Sequence, residues 1–183
     1  LHRWLRTGSE MGELTTIRPE TTPPETFSHL ALVHGELIAA RNGHGLLRVE
    51  NETLTPIPGG DAFAEPGMEV KFVLPLEPRA LLVGTLRRGV YRLSDGEVTP
   101  VASINAVVGS TLVTAGARLA NGRVVISTMG RGVFITEPSG EIVQHVTEFD
   151  DLPNTGITGP GVEDQHGGYW LPLSYGLARV EFG

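Results

Sequence analysis

Cysteine is absent from the 183 residues, and lysine nearly so: Lys71 is the single lysine among 14 basic side chains, the rest being arginine. Without cysteine there is no disulfide, no thiolate-held zinc, no iron–sulfur cluster and no thiol catalysis. The redox compartment is left open, although cysteine avoidance suits a bacterial envelope protein. An excess of positive charge is missing too, since 21 acidic residues against 14 basic ones give a net charge of −7. General affinity for nucleic acid or for an anionic membrane surface is therefore not expected. No apolar run approaches the roughly 18 residues needed to span a bilayer. The N-terminus lacks the charged-then-apolar layout of a signal peptide. Because the sequence begins at Leu1 rather than Met, an export signal outside it is compatible with a periplasmic or extracellular placement.

What is abundant is glycine and proline. The 24 glycines and 13 prolines make about a fifth of the chain, against a usual share of roughly 12%, with no Gly-X-Y period. Hydrophobic residues at 40% and a mean hydropathy near zero argue against disorder, so the sequence reads as one turn-rich folded domain.

The chain repeats itself. A glycine followed by an aliphatic residue, with arginine usually two positions further on, occurs as Gly45-Leu46-Leu47-Arg48, Gly89-Val90-Tyr91-Arg92, Gly132-Val133-Phe134-Ile135 and Gly176-Leu177-Ala178-Arg179, at intervals of 44, 43 and 44 residues. Eight residues before each glycine starts a short β-prone run: Leu37–Ala40, Leu81–Gly84, Val124–Ser127 and Gly168–Leu171. These runs are apolar without alternation, as a strand is when both of its faces are covered by neighbouring sheets. Further β-prone stretches lie upstream, such as Glu69–Leu74 and Val113–Leu119, and hairpin signals include His34-Gly35 and Asp95-Gly96. Each unit reads as four short strands in about 44 residues, with no helical period.

That is the sequence form of an all-β fold, a β-propeller of four-stranded antiparallel blades. A β-sandwich with coincidental spacing predicts even strands but no repeated residue identities, and the identities favour the propeller. Residues 26–59, 60–102 and 103–149 each hold one blade, and 150–183 hold an incomplete one. In residues 1–25, Leu1–Trp4 and Glu13–Ile17 match the last two strands of a preceding blade, and the proline-rich stretch from Pro19 links onward. The expectation is four blades plus part of a fifth, with self-association through open blade edges or a compact five-blade closure.

The last repeat is the most specific. Asp151-Leu152-Pro153-Asn154, Ile157, Glu163-Asp164, Gly167, Trp170 and Gly176-Leu177 resemble the repeat of two-component regulator propellers. That resemblance implies the extracytoplasmic sensor part of a bacterial hybrid histidine kinase or related regulator, some of which recognise oligosaccharides. The first three repeats share only the strand pattern and the glycine anchor. Physically, most of the motif is scaffold: Pro153 and Asn154 start a turn, Asp164 accepts hydrogen bonds from the turn amides after it, and Trp170 packs between blades. Trp4 is read as core.

Sites on propellers usually lie on the face carrying the loops between second and third strands and between consecutive blades. His44, Arg88, Arg131 and Tyr175 each stand one residue before an anchor glycine, with Asn42, Arg87 and Ser174 beside them. Equivalent positions on successive blades form an arc about the axis, which points to a site for an anion or a sugar. The bland alternative is a set of solvated loop tips.

Catalytic patterns are weak by comparison. His29 and His34 fall on opposite faces of a strand, Asp150-Asp151 reads as linker, and Glu163 and Asp164 diverge as strand neighbours do. No nucleophile elbow, phosphate loop or His-Glu-x-x-His occurs. The expectation is a ligand-sensing module without cofactor or catalytic constellation, taking a small polar, anionic or carbohydrate ligand. A protein-interaction or assembly propeller is the alternative, and a lyase or glycosidase a more distant one.

Overall fold

The computed structural model describes residues 26–77 and 79–182, together with the backbone of strands at 2–5 and 11–14. Strands β1 (His2–Leu5) and β2 (Met11–Leu14) pair antiparallel. The strand expected at Glu13–Ile17 meets β2 at Glu13 and Leu14, and residues 15–17 lie outside the described residues. The side chain of Trp4 and the link from 19 to 25 lie outside the described residues.

Three four-stranded antiparallel meanders follow: β3 (Phe27–Val33), β4 (Glu36–Arg41), β5 (Gly45–Glu50) and β6 (Thr53–Pro56); β7 (Val70–Leu76), β8 (Ala80–Thr85), β9 (Gly89–Ser94) and β10 (Glu97–Pro100); then, after helix α1 (Ala102–Val108), β11 (Leu112–Arg118), β12 (Val124–Met129), β13 (Val133–Thr136) and β14 (Ile142–Val146). A last sheet holds β15 (Val162–Glu163), β16 (Gly168–Pro172) and β17 (Leu177–Glu181). Its first strand is interrupted. Ile157 bridges Leu173, and the Thr158 amide donates to the Pro172 carbonyl at 3.0 Å, but ladder pairing resumes only at Val162. Gly159-Pro160-Gly161 lies between, and proline has no N–H to give a ladder.

The repeat holds in fine detail. Each complete sheet carries the same irregularity near the start of its first strand, between Phe27 and His29, Val70 and Phe72, and Val113 and Ala115. The hairpin pairs His34-Gly35 and Asp95-Gly96 have positive φ at both residues, the backbone of a primed turn.

Three apolar clusters form the core, each between one sheet and the next. On β8, Leu81 and Val83 meet Ile38 and Ala40 of the sheet before, while Leu82 joins Val124, Ile126 and Phe134 of the sheet after. On β12, Val125 turns the other way, toward Tyr169 and Leu171. The second strand of each unit is sandwiched, which is why its sequence does not alternate. At the two ends of the series Leu30 and Leu32, and Val162 and Leu177, stand exposed.

Helical structure is one correction. Residues Ala102–Val108 form α1, and short 3-10 turns occupy Gly60–Ala64 and Glu148–Asp150, all in connections between sheets. Only Ile104 and Val108 of α1 are buried, an i, i+4 pair too short to register as a period. No helix among the described residues is long and apolar enough to cross a membrane.

Candidate functional site

The turns joining β4 to β5, β8 to β9, β12 to β13 and β16 to β17 each close on the repeated glycine. Thr85 and Thr128 build two of them alike: the Thr85 hydroxyl donates to the Gly89 carbonyl at 2.9 Å and that of Thr128 to the Gly132 carbonyl at 2.8 Å. Asn42, His44, Arg87, Arg88, Arg131, Ser174 and Tyr175 are all exposed on these turns. They are not equivalent in their surroundings. Arg131 donates from Nη1 to the Val107 carbonyl at the end of α1 at 2.8 Å, so its guanidinium already ties one sheet to the connection before it. Nearby, Asn105 of α1 accepts from the Val90 amide at 2.7 Å and donates to the Val90 carbonyl at 2.9 Å, replacing a ladder partner with a side chain. His44 is engaged as well. Arg88 lies against Gly67, and Tyr175 is 86% exposed.

Two of the expected residues come together. Asn42 and Arg87 line one cavity of about 390 Å³ between the turns of consecutive sheets, with Glu65, Glu69, Phe63 and Met68 supplied by the connection from β6 to β7. Asn42 is held in place: its Nδ2 donates to Thr26 Oγ1 at 2.8 Å and its amide to the Thr26 carbonyl at 3.0 Å. Glu69 is paired with Lys71 Nζ at 2.6 Å. Phe63 is buried and meets Tyr91 edge to face, with centroids 5.9 Å apart. The guanidinium of Arg87 has no partner among the described residues, and Arg87 is part of the cavity's lining. Donors, acceptors and an apolar floor thus share one concavity. The acidic pair and the floor come from a connection whose length does not repeat, so the alignment of the repeats carried no signal for them.

Neither protein families nor curated proteins match the sequence. Solved structures do. The extracellular domain of the hybrid two-component system BT3049 from B. thetaiotaomicron superposes with a TM-score of 0.55 over 78% of this chain and 19% of that one, at 19% identity. YCF48 bound to D1 peptide gives 0.59 over 86% and 51%, at 12% identity. PorZ of the type-IX secretion system of Porphyromonas gingivalis gives 0.59 over 85% and 26%, at 10% identity. The fold is a β-propeller. The chain spans between about a fifth and a half of the length of these neighbours.

In the last blade the motif residues do what a scaffold does, with one exception. Asp164 accepts from the amides of His166 at 2.8 Å and Gly168 at 3.0 Å, from Trp170 Nε1 at 3.0 Å and from Arg179 Nε at 2.8 Å. Arg179 also pairs with Glu181. Asn154 Oδ1 accepts from the Gly156 amide at 3.1 Å, closing the turn it was expected to start. Trp170 is the exception: it does not pack between blades but stands 43% exposed, while its neighbour Tyr169 is buried against the preceding blade. Opposite faces of a strand alternate, and the aromatic that faces inward here is the tyrosine. Burial pushes the Tyr169 hydroxyl up to about 12, so it stays neutral. Glu163 and Asp164 diverge, Glu163 accepting from the Ala120 amide at 2.7 Å. His29, half-buried beside Lys71, titrates lower than an ordinary histidine, mainly through burial.

The hydrogen bond from Arg179 holds the Asp164 carboxyl well below the usual carboxylate range, helped by the two turn amides and the indole and opposed by desolvation. A depressed carboxylate stabilises the fold above its unfolded value near 3.9, and that contribution fades as pH falls further toward the folded value. Asp164→Asn should therefore lower the thermal midpoint at pH 7, and the gap to wild type should narrow as the pH is taken below about 4. A gap that is constant from pH 7 to pH 3 would show that the charge is not what matters.

A second depression of about 240 Å³, formed by the connection from β14 toward β15, is lined by Arg131, His145, Thr147 and Phe149. Phe149 is fully exposed there, on a turn closed by a reciprocal cap between Thr147 and Asp150. Its position between Glu148 and Asp150, an aromatic in an acidic turn, was a legible signal.

Proposed function

We propose that the chain is a recognition module of the sensor type, binding a small carbohydrate or similarly polar, neutral ligand in the cavity shared by Asn42 and Arg87. The observation that carries this reading is that cavity's lining: an uncommitted guanidinium and a fixed carboxamide share one concavity with two carboxylates and apolar side chains. A sugar presents both donors and acceptors on its hydroxyls and an apolar face on its ring. Glu65 and Glu69 disfavour a strongly anionic ligand, which narrows the sequence expectation. The extracellular domain of a hybrid two-component system with this fold supports a sensing context. A binding rather than catalytic role fits the commitments of Asp164, Glu163 and Tyr169 to the fold.

The test is thermal stabilisation and calorimetry against a panel of neutral and acidic oligosaccharides. Arg87→Ala and Asn42→Ala should each weaken binding by about tenfold, as for hydrogen bonds worth roughly 1.5 kcal/mol, with the melting midpoint of the free protein little changed. Binding that survives both substitutions removes the proposal. A second reading, docking of a peptide or protein, is favoured by fully exposed Phe149 and by a propeller neighbour solved with a bound peptide. It requires that Phe149→Ala, and not Arg87→Ala, abolish binding.

A further inference from the structure

A second concavity, of about 460 Å³, lies between the first two complete blades and reaches the turns at His34 and Arg79, away from the Asn42 and Arg87 cavity. Its floor is aliphatic, with Ile38 and Leu81 from facing strands. Its polar wall holds Arg48, Arg79, His34 and Glu36. Arg48 Nε lies 3.0 Å from Glu36 Oε2, so one guanidinium is already matched by one carboxylate. Arg79 has no hydrogen bond or ion pair among the described residues. In a chain of net charge −7, this wall carries a net single positive charge at neutral pH, and the fork of Arg79 is the group left over.

We infer that this cleft is a binding site for a monocarboxylate with a short apolar body, the carboxylate taken bidentately by Arg79 and the body laid on Ile38 and Leu81. The volume falls within the roughly 300–1,000 Å³ typical of small-molecule sites. One unmatched guanidinium suits one negative charge; the second charge of a dianion would find no further unpaired guanidinium in the wall. His34, on the turn between β3 and β4 with φ at 51°, adds a hydrogen-bonding group to the wall. The site is independent of the proposed carbohydrate cavity, which uses other residues.

Hexanoate and N-acetyl-leucine are the probes, titrated by calorimetry into the intact chain, with hexanol as the uncharged comparator. The first represents a free acid and the second a peptide C-terminus, and whichever binds more tightly names the source. Both should bind more tightly than hexanol. Arg79→Gln, on an exposed turn, should weaken the better probe about tenfold or more. Arg87→Gln should leave it unchanged. Glu36→Gln should tighten it, because Arg48 is then released to the ligand. Absence of binding, equal binding of hexanol, or indifference to Arg79→Gln overturns the assignment, and so does weaker binding in Glu36→Gln.

Discussion

Replacing Gly45 with alanine should cost roughly 2–5 kcal/mol, a large part of the stability of a domain this size. Gly45 has φ at +79°, and a side chain there carries about 1–2 kcal/mol of left-handed strain. It also has no room: a Cβ would overlap the carbonyl of Gly60, where the connection to the next blade crosses the strand. Neither partner is a flexible side chain that can swing aside, so the backbone must shift, at roughly a further 1–3 kcal/mol. Gly132 meets the Val146 carbonyl in the same way, and Gly89 meets the Asn105 amide group. Gly176 is the internal control. It too has positive φ, at +98°, but nothing stands within 4 Å of its Cβ position. Urea midpoints for Gly45→Ala, Gly132→Ala and Gly176→Ala should therefore separate, the last losing only the conformational part. Equal losses at all three would mean that the turn alone, and not the crossing connection, demands glycine.

The same glycines explain how far the sequence could be read. A residue with no side chain, required at one point of each complete blade by both φ and space and in the last blade by φ alone, leaves an identity that repeats at fixed spacing. Leu81, Leu82 and Val83 left a second trace, since a strand covered on both faces loses its alternation. Trp170 and Tyr169 show where this ran out. Both are aromatic and adjacent, and composition does not say which faces the preceding blade. The repeat position misleads: counted back from the glycines, Trp170 aligns with Ile126 and Val83, which face the preceding blade. The turn after β16 is one residue shorter than its equivalents, closing from the Leu173 amide to the Gly176 carbonyl where the third blade closes from Thr128 to Gly132. Trp170 therefore takes the place of Val125 and faces away. The Asn42 and Arg87 pair was legible because both sit on repeated turns. Glu65, Glu69 and Phe63 were not, because the connection that carries them has its own length and its own short helical turn. In this fold the invariant geometry writes itself into the sequence, and the binding surface lies largely in the segments that vary.

Phe72 offers the second large effect, together with a sign reversal that tests its cause. Its ring is buried between the second and third complete blades and lies on two strand glycines. A Cβ on Gly84 or Gly116 would overlap the ring. Phe72→Ala should cost about 3–5 kcal/mol, because the slot beneath a deleted ring is walled by backbone and cannot collapse readily. Gly116→Ala should also destabilise the wild-type protein, through that overlap rather than through its backbone, which has no positive φ. Once Phe72 is alanine the overlap is gone, and the added methyl both fills part of the cavity and restricts the unfolded chain, an effect of roughly 0.4–1 kcal/mol in favour of folding. Gly116→Ala should thus change from destabilising to neutral or stabilising between the two backgrounds. The double-mutant cycle should yield a coupling of about 1–3 kcal/mol. Additive losses would place the cost of alanine at Gly116 somewhere other than the Phe72 ring, and the glycine-floored slot would no longer account for why these two strands carry no side chain there.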